Sequence, residues 1–116
     1  MACQVFDTAG LIGKKWTTTL LDEVQNSGEE GFNHLLRRMK KVSSKVLAQR
    51  LDDLEEAGLV KKSVLAEKPV KKTAYHLTAK GRELQGILMQ LKKWNIKHAS
   101  KKLPCLKIDC VDCPLY

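Results

Sequence analysis

The sequence predicts a mainly α domain carrying one small β-hairpin, in the α+β class. Three observations carry that expectation. Apolar residues recur at helical spacing through the first half of the chain, in short runs separated by turn and capping residues. After Gly58 the period changes from helical to alternating, across two short stretches joined by a Pro- and Lys-containing turn. From Thr78 onward a long helical stripe returns. With 116 residues the chain has the size of one domain. We divide it into a domain over 1–99 and a Lys- and Cys-rich tail over 100–116.

Residues 4–12 form a first short helix that stops at Gly13. Residues 14–25 read as a second, with Trp16, Leu20 and Val24 on one face and the turn chemistry of Asn26-Ser27-Gly28 after it. Residues 32–39 read as a third, carrying Phe32, Leu35, Leu36 and Met39. Ser43 is a good N-cap for a fourth helix running to Ala57. Its inward residues are Leu47, Leu51 and Leu54, and Gly58 stands just past its end. Val60, Val64 and Leu65 then read as a strand, Glu67 to Lys72 as a turn and Thr73 to Leu77 as the returning strand. Thr78 caps a long last helix through about Ala99, with Leu84, Ile87, Leu88, Leu91 and Trp94 on one stripe.

Composition excludes several classes. Hydrophobic residues at 43% and charged residues at 29% do not fit a disordered tail. The longest run free of Asp, Glu, Lys and Arg is Leu84 to Leu91, short of the about 18 apolar residues a membrane span needs. No basic-then-apolar leader precedes a small-residue cleavage site, so the expected compartment is the cytoplasm and no membrane partner is expected. No Ser/His/Asp order, Gly-rich phosphate loop or H-E-x-x-H motif is present, and His34, His76 and His98 are scattered, so an enzyme is not expected.

The formal net charge is +8. Residues 1–58 carry eight basic and nine acidic groups; residues 59–116 carry thirteen basic and four acidic groups. A one-sided basic field suits an acidic polymer. The third helix, a short turn and the fourth helix form a helix-turn-helix. A hairpin with a basic tip directly after it makes a winged helix-turn-helix DNA-binding domain. There the second helix of the pair enters the major groove and the wing lies along the phosphates or the minor groove.

Several segments resemble the HxlR-type transcriptional regulators, a branch close to the MarR-like winged helices. They are Leu11-Ile-Gly-Lys-Lys-Trp16-Thr, Phe32-x-x-Leu35-x-Arg37, and Val42-Ser-Ser-Lys-Val-Leu-Ala-Gln-Arg-Leu-x-x-Leu-Glu-x-x-Gly-Leu59-Val. Pro69-Val, Tyr75-x-Leu-Thr78 and Gly81 complete the set. The likeness covers about residues 3 to 98. It implies double-stranded DNA with a near-palindromic operator as partner, and a homodimer formed through N- and C-terminal helices, the last helix serving as the dimerisation helix. It also implies that Cys3, at a position where such proteins often carry an N-terminal Cys, is a thiol that senses oxidants or electrophiles. The sequence departs from the family at His34, at Lys40-Lys41, at Thr73-Ala74 and in the tail, so effector and operator preference are not carried over.

The candidate base readers are Ser44, Lys45 and Gln49. At about 100° per residue, Leu47, Leu51 and Leu54 fall within about 60° of one another and place Lys45 and Gln49 opposite. Gln can contact adenine bidentately, Lys can reach guanine, and Ser accepts either role. Ser43 caps the helix, whose first N–H groups can hold a phosphate. Arg37, Arg38, Lys40 and Lys41 before the helix, and Lys68, Lys71 and Lys72 in the hairpin, are the candidate phosphate contacts. Arg50 either pairs with Asp53 or reaches a phosphate. Asp52, Asp53 and Glu56 would repel phosphate and belong towards the far end of the helix.

Cys3 is either a sensor, with Lys14 and Lys15 as the cations near it in sequence, or an unreactive thiol. Cys105-x4-Cys110-x2-Cys113 fits a zinc site with Cys3 as a fourth ligand, echoes a [2Fe–2S] spacing, offers a Cys110–Cys113 redox pair, or is a run of free thiols. No cofactor is required. The rival functions are a thiol- or metal-binding protein-interaction module and an RNA-binding winged helix.

Overall fold

A computed structural model describes residues 3–69 and 71–98. Five helices and one hairpin follow in the order α1 (Gln4–Ile12), α2 (Thr17–Ser27), α3 (Phe32–Arg38), α4 (Ser44–Glu56), β1 (Val60–Ala66), β2 (Lys72–Leu77) and α5 (Ala79–His98), with a 3-10 turn over Gly28–Glu30. The expected mainly α domain with one hairpin is the architecture found.

Most boundaries agree with the sequence to within a residue or two, and α2 is the exception. It begins at Thr17 rather than residue 14, because Trp16 adopts a positive φ of 77° that no right-handed helix accepts. Trp16 therefore lies outside the helix, half-buried against the core instead of on its stripe. At the other end Asn26 and Ser27 remain helical and the turn falls on Gly28–Glu30. The third helix stops at Arg38 with Met39 as its cap. Lys72, expected in the hairpin turn, is the first residue of β2. The last helix is described to His98, and the tail over 100–116 lies outside the described residues.

The core is built where α2, α3, α4 and the hairpin meet. Leu20, Leu21, Leu35, Leu47 and Leu54 are wholly buried, with Val24, Met39, Leu51, Leu59, Val60, Tyr75 and Leu77 around them. From the last helix only Leu84 and Leu88 of the predicted stripe enter this core; Ile87, Leu91 and Trp94 stay exposed.

Capping sets the pose of α4. The Ser43 hydroxyl accepts from the Val46 N–H at 3.2 Å. At the other end the Leu59 N–H donates to the Leu54 carbonyl and the Gly58 N–H to the Glu55 carbonyl, a Schellman motif closed by Gly58 at φ 77°. Removing the Ser43 hydroxyl as Ser43→Ala is expected to lower unfolding free energy by about 1 kcal/mol in urea titration. Directly beyond, β1 and β2 pair antiparallel from Val60 with Leu77 to Ala66 with Lys72. Leu65 is the extra residue of a bulge in that ladder. Thr78 joins the pieces: its hydroxyl donates to the Gly58 carbonyl at 2.6 Å and accepts from the Gly81 N–H at 3.0 Å, starting α5 against the exit of α4.

Candidate nucleic-acid interface

The buried stripe of α4 leaves its opposite face to solvent, where Lys45 and Gln49 lie in the first two turns; Ser44 is exposed at the first position of the helix, on the side of Leu51. Arg37, Lys40 and Lys41 are exposed just before it, and Lys68, Lys71 and Lys72 on the hairpin after it. Arg37, Lys71 and Lys72 line one concavity between α3 and the wing, together with Phe32 and Leu65. Glu29 and Glu30 form its acidic wall.

Arg38, a predicted phosphate contact, and Arg50, open between Asp53 and a phosphate, both bond to other groups of the chain. The Arg38 guanidinium donates from Nε and Nη2 to the two oxygens of Glu23, at 3.3 and 3.2 Å. Glu23 is 2% exposed and also accepts from the Ser27 hydroxyl. A bidentate arginine is the geometry that lets a carboxylate remain buried. Arg50, for which two partners stood open, donates to the Lys15 carbonyl at 3.3 Å and to Asp53 at 3.4 Å. Lys14 approaches Asp53 from the α1–α2 joint at 3.6 Å. The sequence missed this strap, since Lys15 and Arg50 are 35 positions apart and no local spacing marks them.

Cys3 is an exposed thiol at the N-cap of α1. Lys14 and Lys15 do not surround it. Lys14 lies beyond the far end of the nine-residue α1, a helix about 14 Å long, and Lys15 sits 5.0 Å over the Trp16 ring. Cys105, Cys110 and Cys113 lie outside the described residues. Among the described residues no group of three or more His, Cys, Asp or Glu could hold a metal. The carboxylates of Glu30 and Glu29 instead meet His34 at 2.9 Å and His76 at 3.9 Å. No described helix is long and apolar enough to cross a membrane.

A capped second helix with a polar outward face, followed at once by a basic wing, defines a winged helix-turn-helix protein of the DNA-binding transcription-regulator class. A family profile for the HxlR-like helix-turn-helix matches residues 11–103, and the chain belongs to that family. It is a transcriptional regulator of HxlR type, not an enzyme. Among its relatives is the HTH-type transcriptional regulator YodB of Bacillus subtilis, 34% identical over 93 residues, which are 79% of this chain and 81% of YodB. The solved reduced form of YodB superposes with a TM-score of 0.72 at 32% identity, covering 86% of this chain and 97% of that one. The redox regulator HypR in its reduced form gives a TM-score of 0.72 at 31% identity, over 84% of this chain and 95% of that one.

Proposed function

We propose that the protein acts as a homodimer that reads a near-palindromic operator in duplex DNA, inserting α4 of each protomer into the major groove. The observation that carries this reading is the exposed start of α4, with Ser44 at its first position and Lys45 and Gln49 on its outward face, and unburied cations on both flanks. Ser44, Lys45 and Gln49 read bases, while Arg37, Lys40, Lys41, Lys68, Lys71 and Lys72 hold phosphates and Ser43 presents the helix N-terminus. Dimerisation is supported by the two terminal helices. α1 buries no residue of its own, with Val5 79% and Phe6 77% exposed, and α5 leaves Ile87 63% and Trp94 58% exposed. Such a regulator works in the cytoplasm, beside its operator.

Binding to duplexes selected from a random pool, compared with random duplex and single-stranded RNA at physiological salt, tests the reading. Gln49→Ala is expected to relax sequence preference at one position. Lys71→Ala is expected to weaken binding to all duplexes and flatten the salt slope by about one unit. Absence of any preferred duplex would overturn the proposal, and preference for RNA would favour the RNA-binding alternative.

Cys3 is the proposed oxidant or electrophile sensor. This is supported by its exposed thiol and by the likeness to a regulator whose reduced and oxidised forms are both known, HypR. Cys3→Ser is then expected to leave operator affinity unchanged and to abolish its loss or gain under oxidant. Zinc at the cysteines of the tail is a separate proposal resting on their spacing. Elemental analysis of protein purified without chelator tests it, and absence of metal with all four thiols titratable removes it.

A further inference from the structure

We propose that Asp52 is a fourth base-reading residue of α4 and that it selects cytosine. The inference rests on the reading of α4 as the recognition helix and adds a residue that composition alone casts as a repulsive one.

The helix geometry places it. At about 100° per residue, Asp52 stands about 20° to one side of Lys45 and Gln49 about 40° to the other, so the three share one outward strip. Asp52 is exposed, and three residues after Gln49 it lies about 4.5 Å farther along the axis, one to two base pairs away at about 3.4 Å per pair. Glu56 shares the strip but lies a further 6 Å or so along, towards the end that leaves the groove.

The two neighbouring aspartates have different surroundings. The Asp53 carboxylate turns to the side of the helix, where Arg50 and Lys14 neutralise it. Among the described residues no hydrogen bond or ion pair engages the Asp52 carboxylate. A bare carboxylate facing a polyanion is repelled unless it meets a donor. On the major-groove edge the N4 amino group of cytosine is a donor with no acceptor beside it on the same base. The adenine amino group stands next to the N7 acceptor, while guanine N7 and O6 and thymine O4 are acceptors that a carboxylate repels. Asp52 therefore attracts one base and rejects the others, where a neutral side chain would be tolerant.

The test compares sequences selected from a random duplex pool by the wild-type protein, Asp52→Asn and Asp53→Asn. Wild type is expected to recover a motif with cytosine one or two pairs from the position that Gln49→Ala relaxes. Asp52→Asn is expected to lose about tenfold of that cytosine preference and to bind random duplex several-fold more tightly. Asp53→Asn is expected to keep the motif. A uniform rise in affinity for all duplexes with unchanged base preferences in Asp52→Asn would show repulsion without readout and overturn the proposal, as would equal loss of the cytosine in Asp53→Asn. If wild-type protein recovers no motif, the recognition-helix reading itself fails, and this inference with it.

Discussion

Gly81→Ala is expected to destabilise the protein by about 3 kcal/mol or more, against the usual gain from replacing a helical glycine. Gly81 lies in the first turn of α5, where a Cβ would overlap the carbonyl oxygen of Leu59. That carbonyl cannot rotate away, because it is backbone and already accepts from the Thr78 N–H at 3.0 Å. The helix would have to back off, and Thr78, which fastens α5 to the Gly58 carbonyl at the exit of α4, would move with it. Gly86 provides the control. It is on the same helix, and a methyl group added there would meet nothing within 4 Å, so Gly86→Ala is expected to stabilise by about 0.5–1 kcal/mol. Urea titrations of the two variants should therefore shift in opposite directions. Equal shifts would mean that the contact with Leu59 is not what excludes a side chain.

Arg38→Leu is expected to cost about 2–4 kcal/mol of stability, at the lower part of the range for a broken buried pair because Arg38 itself is about a third exposed. The loss arises from Glu23, whose buried carboxylate would keep, among the described residues, only the Ser27 hydroxyl as a side-chain hydrogen-bond donor. Adding Glu23→Leu removes the stranded charge, so the double variant should recover a large part of the loss, and the double-mutant cycle measures the coupling. The same pair separates two arginines that are adjacent in sequence. At a temperature where both variants are folded, Arg37→Ala is expected to flatten the salt slope of DNA binding by about one unit, whereas Arg38→Leu should leave it unchanged.

These two results concern contacts that were illegible in the chain. The run of Arg37 and Arg38 reads as two equivalent cations, yet Arg38 pairs with Glu23 across 15 positions. Nothing in the local spacing of either residue marks the pairing. Trp16 illustrates a second kind of blindness. Its i, i+4, i+8 relation to Leu20 and Val24 is real, but a positive φ, uncommon for a residue with a side chain, keeps Trp16 out of the helix, which starts at Thr17. The stripe on the last helix shows a third. Leu84 and Leu88 bury while Ile87, Leu91 and Trp94 do not, because the domain's own core covers only the first half of α5.

What the sequence determined by itself was the set of elements, their order and the outward face of α4. These depend on interactions within a few residues: Ser43 capping Val46, Gly58 closing the helix it follows, and apolar residues repeating every third or fourth position. What only the tertiary structure decided was the assignment of individual charges. Arg38 went to Glu23, Arg50 and Lys14 to Asp53, and Lys92 with Gln85 to Asp22 some 70 and 63 positions away. A side chain's charge is the same in every context, but its partner is set by packing between distant segments. Only after that packing has consumed some cations and carboxylates is it evident which ones, Lys45, Lys71 and Asp52 among them, remain turned to solvent.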